Sequence, residues 1–161
     1  MEGYGFSTHV RVRFADTDAQ GIAHNAAYNV WFEVARVEYL RAFAGGYQAL
    51  RDHGIEALVL ESFCRYRQPA RFDDELDVHA RCGDVRGARF RFEYAITRAR
   101  LEASPAKPVT SGQETRDALG APWEVVAEGW TAHACVDATS FRPVRVPGWL
   151  VDAIRSAESS S

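Results

Sequence analysis

Polar and apolar residues alternate early in this chain, where Val10, Val12 and Phe14 are separated by Arg11 and Arg13. A period of two predicts a strand with one buried face. A polar loop then runs to about Asn25, and the period changes. From Ala26 to about Phe43, the residues Tyr28, Trp31, Phe32, Ala35, Tyr39 and Phe43 fall near one face of a helix. Val34 and Val37 lie off that face, so the apolar arc is wide and predicts a buried helix. Glu33 with Arg36 and Glu38 with Arg41 have the i,i+3 spacing of an exposed strip. Gly45-Gly46 ends the helix, and Tyr47 to Asp52 predicts a short second helix before Gly54.

The rest of the chain reads as strands. One covers Ile55 to about Gln68 and stops at Pro69. Leu76, Val78, Ala80 and Cys82 alternate with polar residues to give the next, and Phe90, Phe92, Tyr94 and Ile96 give another. Residues 102–122 are rich in Ala, Ser, Pro, Gly and charge, and predict a long exposed hairpin connection. A last long strand spans Trp123 to about Val136. Pro147-Gly148 opens a terminal helix to about Ala157, with 158–161 expected as a frayed tail. No internal repeat and no linker between two cores is visible, so residues 1–161 predict one domain. The order is strand, long helix, then a run of antiparallel strands. That order predicts an α+β fold in which a five-stranded antiparallel sheet curves around one long helix.

Composition narrows the function classes. The formal net charge is -3, which gives no reason to expect nucleic acid as a partner. Cys64, Cys82 and Cys135 are far apart, odd in number and without zinc or redox spacing, so they predict small core residues in a reducing compartment. No basic segment followed by an apolar run opens the chain, and no apolar stretch approaches the roughly 18 residues of a membrane helix. A cytoplasmic protein is the expectation.

The chemistry concentrates in the loop before the long helix, Arg13-Phe14-Ala15-Asp16-Thr17-Asp18-Ala19-Gln20-Gly21-Ile22-Ala23-His24-Asn25. It sets Asp18 a few residues before a helix start. A carboxylate there can share a substrate with free backbone N–H groups, which suits attack on an acyl centre. Asp16, Asp18 and His24 lack a recognised metal-ligand spacing, so no metal is expected. Asp16 reads as a residue that holds the loop. The Asn25 side chain reads as a helix N-cap accepting the Tyr28 N–H.

Asp16-Thr17-Asp18-Ala19-Gln20-Gly21-Ile22, then Tyr28 and Trp31-Phe32-Glu33-Val34-Ala35-Arg36, resemble the 4-hydroxybenzoyl-CoA thioesterase family of hotdog-fold proteins. The resemblance continues through Tyr66-Arg67-Gln68-Pro69-Ala70-Arg71-Phe72-Asp73-Asp74-Glu75-Leu76, Ala127-Glu128-Gly129 and the Arg142-Pro143 to Pro147 segment. It implies sheets joined edge to edge in a homodimer or homotetramer, with active sites at the interface. It implies acyl-CoA or acyl-carrier-protein thioesters as substrates, hydrolysed without a cofactor. It places the catalytic carboxylate on Asp18 and the oxyanion donor on the backbone N–H of Asn25. Asp18 is then a nucleophile or a general base. Many members carry tyrosine where this chain has Phe14, and histidine where it has Asn25. His24 stands one position earlier, as a proton shuttle or a pocket wall. Gly21 and Tyr28 are the expected substrate contacts of the loop and helix. Arg86 matches a position that contacts CoA phosphates, with Arg89 as a substitute; the plain alternative for both is a solvated charge at a strand end. Two other functions use the same residues: a hotdog enoyl-CoA hydratase, and a non-catalytic acyl-CoA or acyl-carrier binding module.

Overall fold

A computed structural model describes residue 1 and residues 3–99 and 123–159. The expected connection at 102–122 lies outside the described residues. The elements are β1 (Phe6–Arg11), a 3-10 turn (Phe14–Asp16), α1 (Asn25–Ala44), α2 (Gly46–Asp52), β2 (Ile55–Tyr66), β3 (Glu75–Arg86), β4 (Arg89–Ala99), β5 (Trp123–Asp137) and α3 (Gly148–Ser159). The five strands form one antiparallel sheet in the order β1-β3-β4-β5-β2. The α+β architecture predicted from the pattern is the one observed.

The long helix lies against the sheet because its large side chains find matching positions there. Phe32 stacks on Tyr94 of β4, with ring centroids 4.4 Å apart and planes 10° apart. Tyr39 meets the edge of Phe92 at 5.3 Å. Gly129 sits opposite Tyr94 in the sheet register and makes room for the helix. A Cβ at Gly129 would overlap the Phe63 carbonyl oxygen and lie 2.6 Å from the Phe32 ring. Full burial of a phenylalanine side chain such as Phe32 contributes about 2–3 kcal/mol.

Three expectations change. The first strand ends at Arg11 rather than Phe14. Val12 stays buried and still pairs with the chain after Pro69: its N–H donates to Asp74 O, and its carbonyl accepts the Asp73 N–H, both at 2.9 Å. Beyond it, the Asp16 carboxylate accepts the Arg13 N–H at 2.9 Å and curls the chain into the 3-10 turn. Phe14 is therefore 78% exposed, its ring set edge-on to Phe72. Arg36 leaves the expected exposed strip. It is buried, and its Nε donates to the Tyr47 hydroxyl of α2 at 3.3 Å. The terminal helix also runs past Ala157. Glu158 anchors that end, with Oε1 accepting from the Tyr39 hydroxyl at 2.6 Å and from the Cys82 N–H at 2.9 Å. Residues 158 and 159 are helical rather than frayed.

Under α1 a polar chain runs through the core. The Tyr94 hydroxyl bonds to Thr131 Oγ1 at 2.8 Å, which bonds in turn to His133 Nε2 at 2.8 Å. Burial, and secondarily the charge of Arg36, lower the His133 pKa to about 3. The imidazole is therefore neutral at pH 7. No helix of the described residues is long and apolar enough to cross a membrane. Cys82 and Cys135 are buried, and Cys64 is half-buried.

Candidate active site

The loop between the 3-10 turn and α1 folds back on itself through its own backbone. Thr17 and Ala23 form an isolated antiparallel bridge. The Asp18 N–H donates to Ile22 O, and the Gly21 N–H donates to Asp18 O, each at 3.0 Å. Gly21 has φ +73°, a left-handed conformation that glycine adopts without a Cβ clash. Asp18 is exposed at this turn, and its Oδ1 accepts the Gln20 N–H at 2.8 Å. The Asp16 carbonyl accepts the His24 N–H at 2.9 Å, and Ala70 O accepts the Ala23 N–H at 2.8 Å. The second of these bonds ties the loop to the segment after β2.

His24, not Asn25, is the N-cap of α1, and Asn25 is its first helical residue. The expected side-chain cap from Asn25 is thus absent: the chain is already helical there, and the His24 carbonyl takes the Ala27 N–H at 3.0 Å. Among the described residues, the N–H groups of Asn25 and Ala26 meet no acceptor. Such orphan donors at a 20-residue helix carry the positive end of its dipole.

The loop, the first turn of α1 and the end of β2 line an open cavity of about 520 Å³. Asp18, His24, Asn25 and Tyr28 all line it. Tyr28 is buried, with its ring 4.8 Å from both Trp31 and Tyr66. Burial raises its phenol above the ordinary tyrosine value, partly offset by the Ala70 amide. The opposite wall is Tyr66, Arg67, Gln68 and Pro69. Arg67 is held by Glu128 at 2.7 Å. These wall residues belong to a block whose likeness to the family was visible, but nothing local in the sequence marked them as facing the loop. Asp16 is buried, and the Arg13 hydrogen bonds hold its carboxyl below the usual carboxylate range. It holds the loop, as its reading suggested.

Three of the expected substrate residues are not among those lining this cavity. Gly21 turns the loop and does not line the cavity. Arg86 and Arg89 flank the β3–β4 hairpin, away from this cavity. Arg86 is exposed and pairs with Asp84 at 2.8 Å. Among the described residues no group of three histidine, cysteine or carboxylate side chains is placed to hold a metal ion.

The arrangement sets a carboxylate-bearing residue, Asp18, and the first residue of a long helix, Asn25, along one cavity, and a carboxylate together with a helix-terminal amide can serve acyl transfer. The chain is 39% identical over 103 residues to "Acyl-CoA thioesterase YbgC" of Haemophilus influenzae, covering 63% of this chain and 76% of that one. A crystal structure of a hypothetical protein from Aquifex aeolicus superposes with a TM-score of 0.71 at 29% identity, covering 92% of this chain and 98% of that one. The 1,4-dihydroxy-2-naphthoyl-CoA thioesterase of Synechocystis shares the fold, with a TM-score of 0.71 at 19% identity over 93% of this chain and 95% of its own. The sequence signature of the Thioesterase-like superfamily matches residues 12–154, and the chain belongs to that superfamily.

Proposed function

We propose that this enzyme hydrolyses acyl-CoA thioesters to a carboxylate and free CoA, with Asp18 and the Asn25 amide as its reacting groups. One observation carries the reading: Asp18 and Asn25, whose backbone N–H has no acceptor among the described residues, line the same cavity. A thioester carbonyl whose oxygen meets the Asn25 N–H is polarised by that donor and by the helix dipole. An Asp18 oxygen then attacks the carbonyl carbon, or takes a proton from a water that does so. The tetrahedral oxyanion collapses, the carbon–sulfur bond breaks, and CoA leaves as a thiolate. By the first route an aspartyl anhydride remains, and water cleaves it to return the carboxylate of Asp18.

We place the functional unit in a homodimer. β2 ends the sheet and exposes Leu58, Val59, Leu60 and Phe63, an apolar edge suited to a second copy. Sedimentation velocity on the purified chain tests this; a species of monomer mass at micromolar concentration would contradict it.

A thiol-trapping dye assay tests the chemistry, run with acetyl-, butyryl-, hexanoyl-, benzoyl- and 4-hydroxybenzoyl-CoA. The last of these addresses the 4-hydroxybenzoyl-CoA branch. Thiol release that disappears in Asp18→Asn is the expected result. Loss of the enoyl absorbance of crotonyl-CoA without thiol release would replace hydrolysis by hydration. Tight acyl-CoA binding with no turnover would make the chain a binding module.

A further inference from the structure

Asp16 stands two residues before Asp18, and His24 stands one residue before Asn25. The bond from the His24 N–H to the Asp16 carbonyl, 2.9 Å long, closes the neck of the loop that carries both reacting groups. The neck is held from one side by the Asp16 side chain. Its carboxylate accepts three bonds from Arg13: from the backbone N–H at 2.9 Å, from Nε at 3.1 Å and from Nη2 at 2.7 Å. Arg13 itself is exposed, so the clamp works through charge-assisted hydrogen bonds more than through packing. Asp16 does not line the cavity.

We propose that Asp16, clamped by Arg13, is a positioning residue that sets the separation between the Asp18 carboxylate and the Asn25 amide, and so governs turnover rather than substrate binding. This rests on the hydrolase reading above. A reacting group displaced by about 1 Å loses on the order of 100-fold in rate. Tyr28 and Tyr66 hang from α1 and β2, and with Arg67, Gln68 and Pro69 they form the part of the lining that lies outside the clamped loop, so this part of the binding surface is spared. Asp16→Asn sets an NH2 donor among three donors of Arg13. Arg13→Ala removes two of the three bonds and keeps the backbone one.

The test uses the whole chain and the acyl-CoA of the panel that it turns over fastest. Asp16→Asn and Arg13→Ala are expected to lower kcat by about 10- to 100-fold with KM changed less than about threefold. The double variant is expected to lose no more than the worse single one, and Arg13→Lys to keep more activity than Arg13→Ala. Hydrogen exchange of the 17–27 amides is expected to quicken while the sheet amides do not change. If Asp16→Asn does not fold, the two Arg13 variants carry the comparison. Full kcat in the variants that fold, a loss confined to KM, or exchange that quickens throughout the chain would each overturn the proposal. Asp18→Asn is run beside them. If it retains turnover, the hydrolase site itself is misassigned; if it is inactive while the clamp variants are fully active, the positioning role alone fails.

Discussion

The first turn of α1 and the turn that carries Phe32 lie about two turns apart on one helix, yet they are built in opposite ways. Around Phe32 the space is full. Its ring lies on Tyr94, and even a methyl group at Gly129 would overlap it. At the first turn, the Asn25 and Ala26 amides have no acceptor among the described residues and the Asp18 carboxylate is exposed. Close packing gives stability and leaves nothing to react. Unpaired donors beside a cavity give up a little stability and keep a place for a developing charge. The two properties are separated along one element, so substitutions should separate them as well.

The largest effect is expected at the open end. Asp18→Asn keeps the acceptor for the Gln20 N–H and removes the charge, so the turn survives. Thiol release should fall by at least about 1000-fold, with the melting temperature unchanged. The comparison breaks if this variant loses stability instead.

The packed end answers in the other currency. Gly129→Ala forces Phe32 and the Phe63 backbone apart, and should destabilise the protein by about 3 kcal/mol in denaturant unfolding, with turnover per folded molecule retained. A neutral result would mean that α1 is not pressed against the sheet as described.

A smaller, pH-dependent effect sharpens the same contrast. His133 is neutral in the fold, with its pKa lowered to about 3 by burial. In the unfolded chain it takes a proton near its ordinary value of about 6.5. The unfolded state therefore binds more protons below that value, and stability falls as pH drops from about 6.5 toward 3. Between pH 7 and pH 5 the loss from this group is about 2 kcal/mol. His133→Gln should flatten that slope, measured as melting temperature against pH. An unchanged slope would assign the acid sensitivity to other groups.

Periodicity carried most of the fold. The 3.6-residue spacing from Tyr28 to Phe43 placed α1, and the alternation at Leu76–Cys82 and Phe90–Ile96 placed β3 and β4. It failed where one side chain redirects the backbone. Phe14 keeps the strand alternation, but Asp16 takes the Arg13 N–H and turns the chain outward. Arg36 has the spacing of a surface residue, and its burial depends on partners that the helix pattern does not show, Tyr47 on the next helix and Tyr94 on β4. In the loop, Asp18, His24, Asn25 and Tyr28 were legible as one group, because they are close in sequence and precede a helix. Tyr66 and its neighbours were not, since their contact with Tyr28 depends on how β2 lies beside α1. The cap was misplaced by one residue. Asparagine is a good N-cap, but here the His24 backbone is the extended residue, with φ -69° and ψ 153°.

That one-residue shift opens a route to a backbone donor that ordinary side-chain replacement leaves intact. Asn25 is the first helical residue, where proline fits, and the extended His24 is the conformation that a following proline requires. Asn25→Pro therefore deletes the N–H and leaves the helix, while Asn25→Ala deletes only the side chain. The kcat of Asn25→Pro is expected to fall by about 100- to 1000-fold, with Asn25→Ala close to the parent and both melting temperatures unchanged. Full turnover by the proline variant would contradict the role given to that N–H.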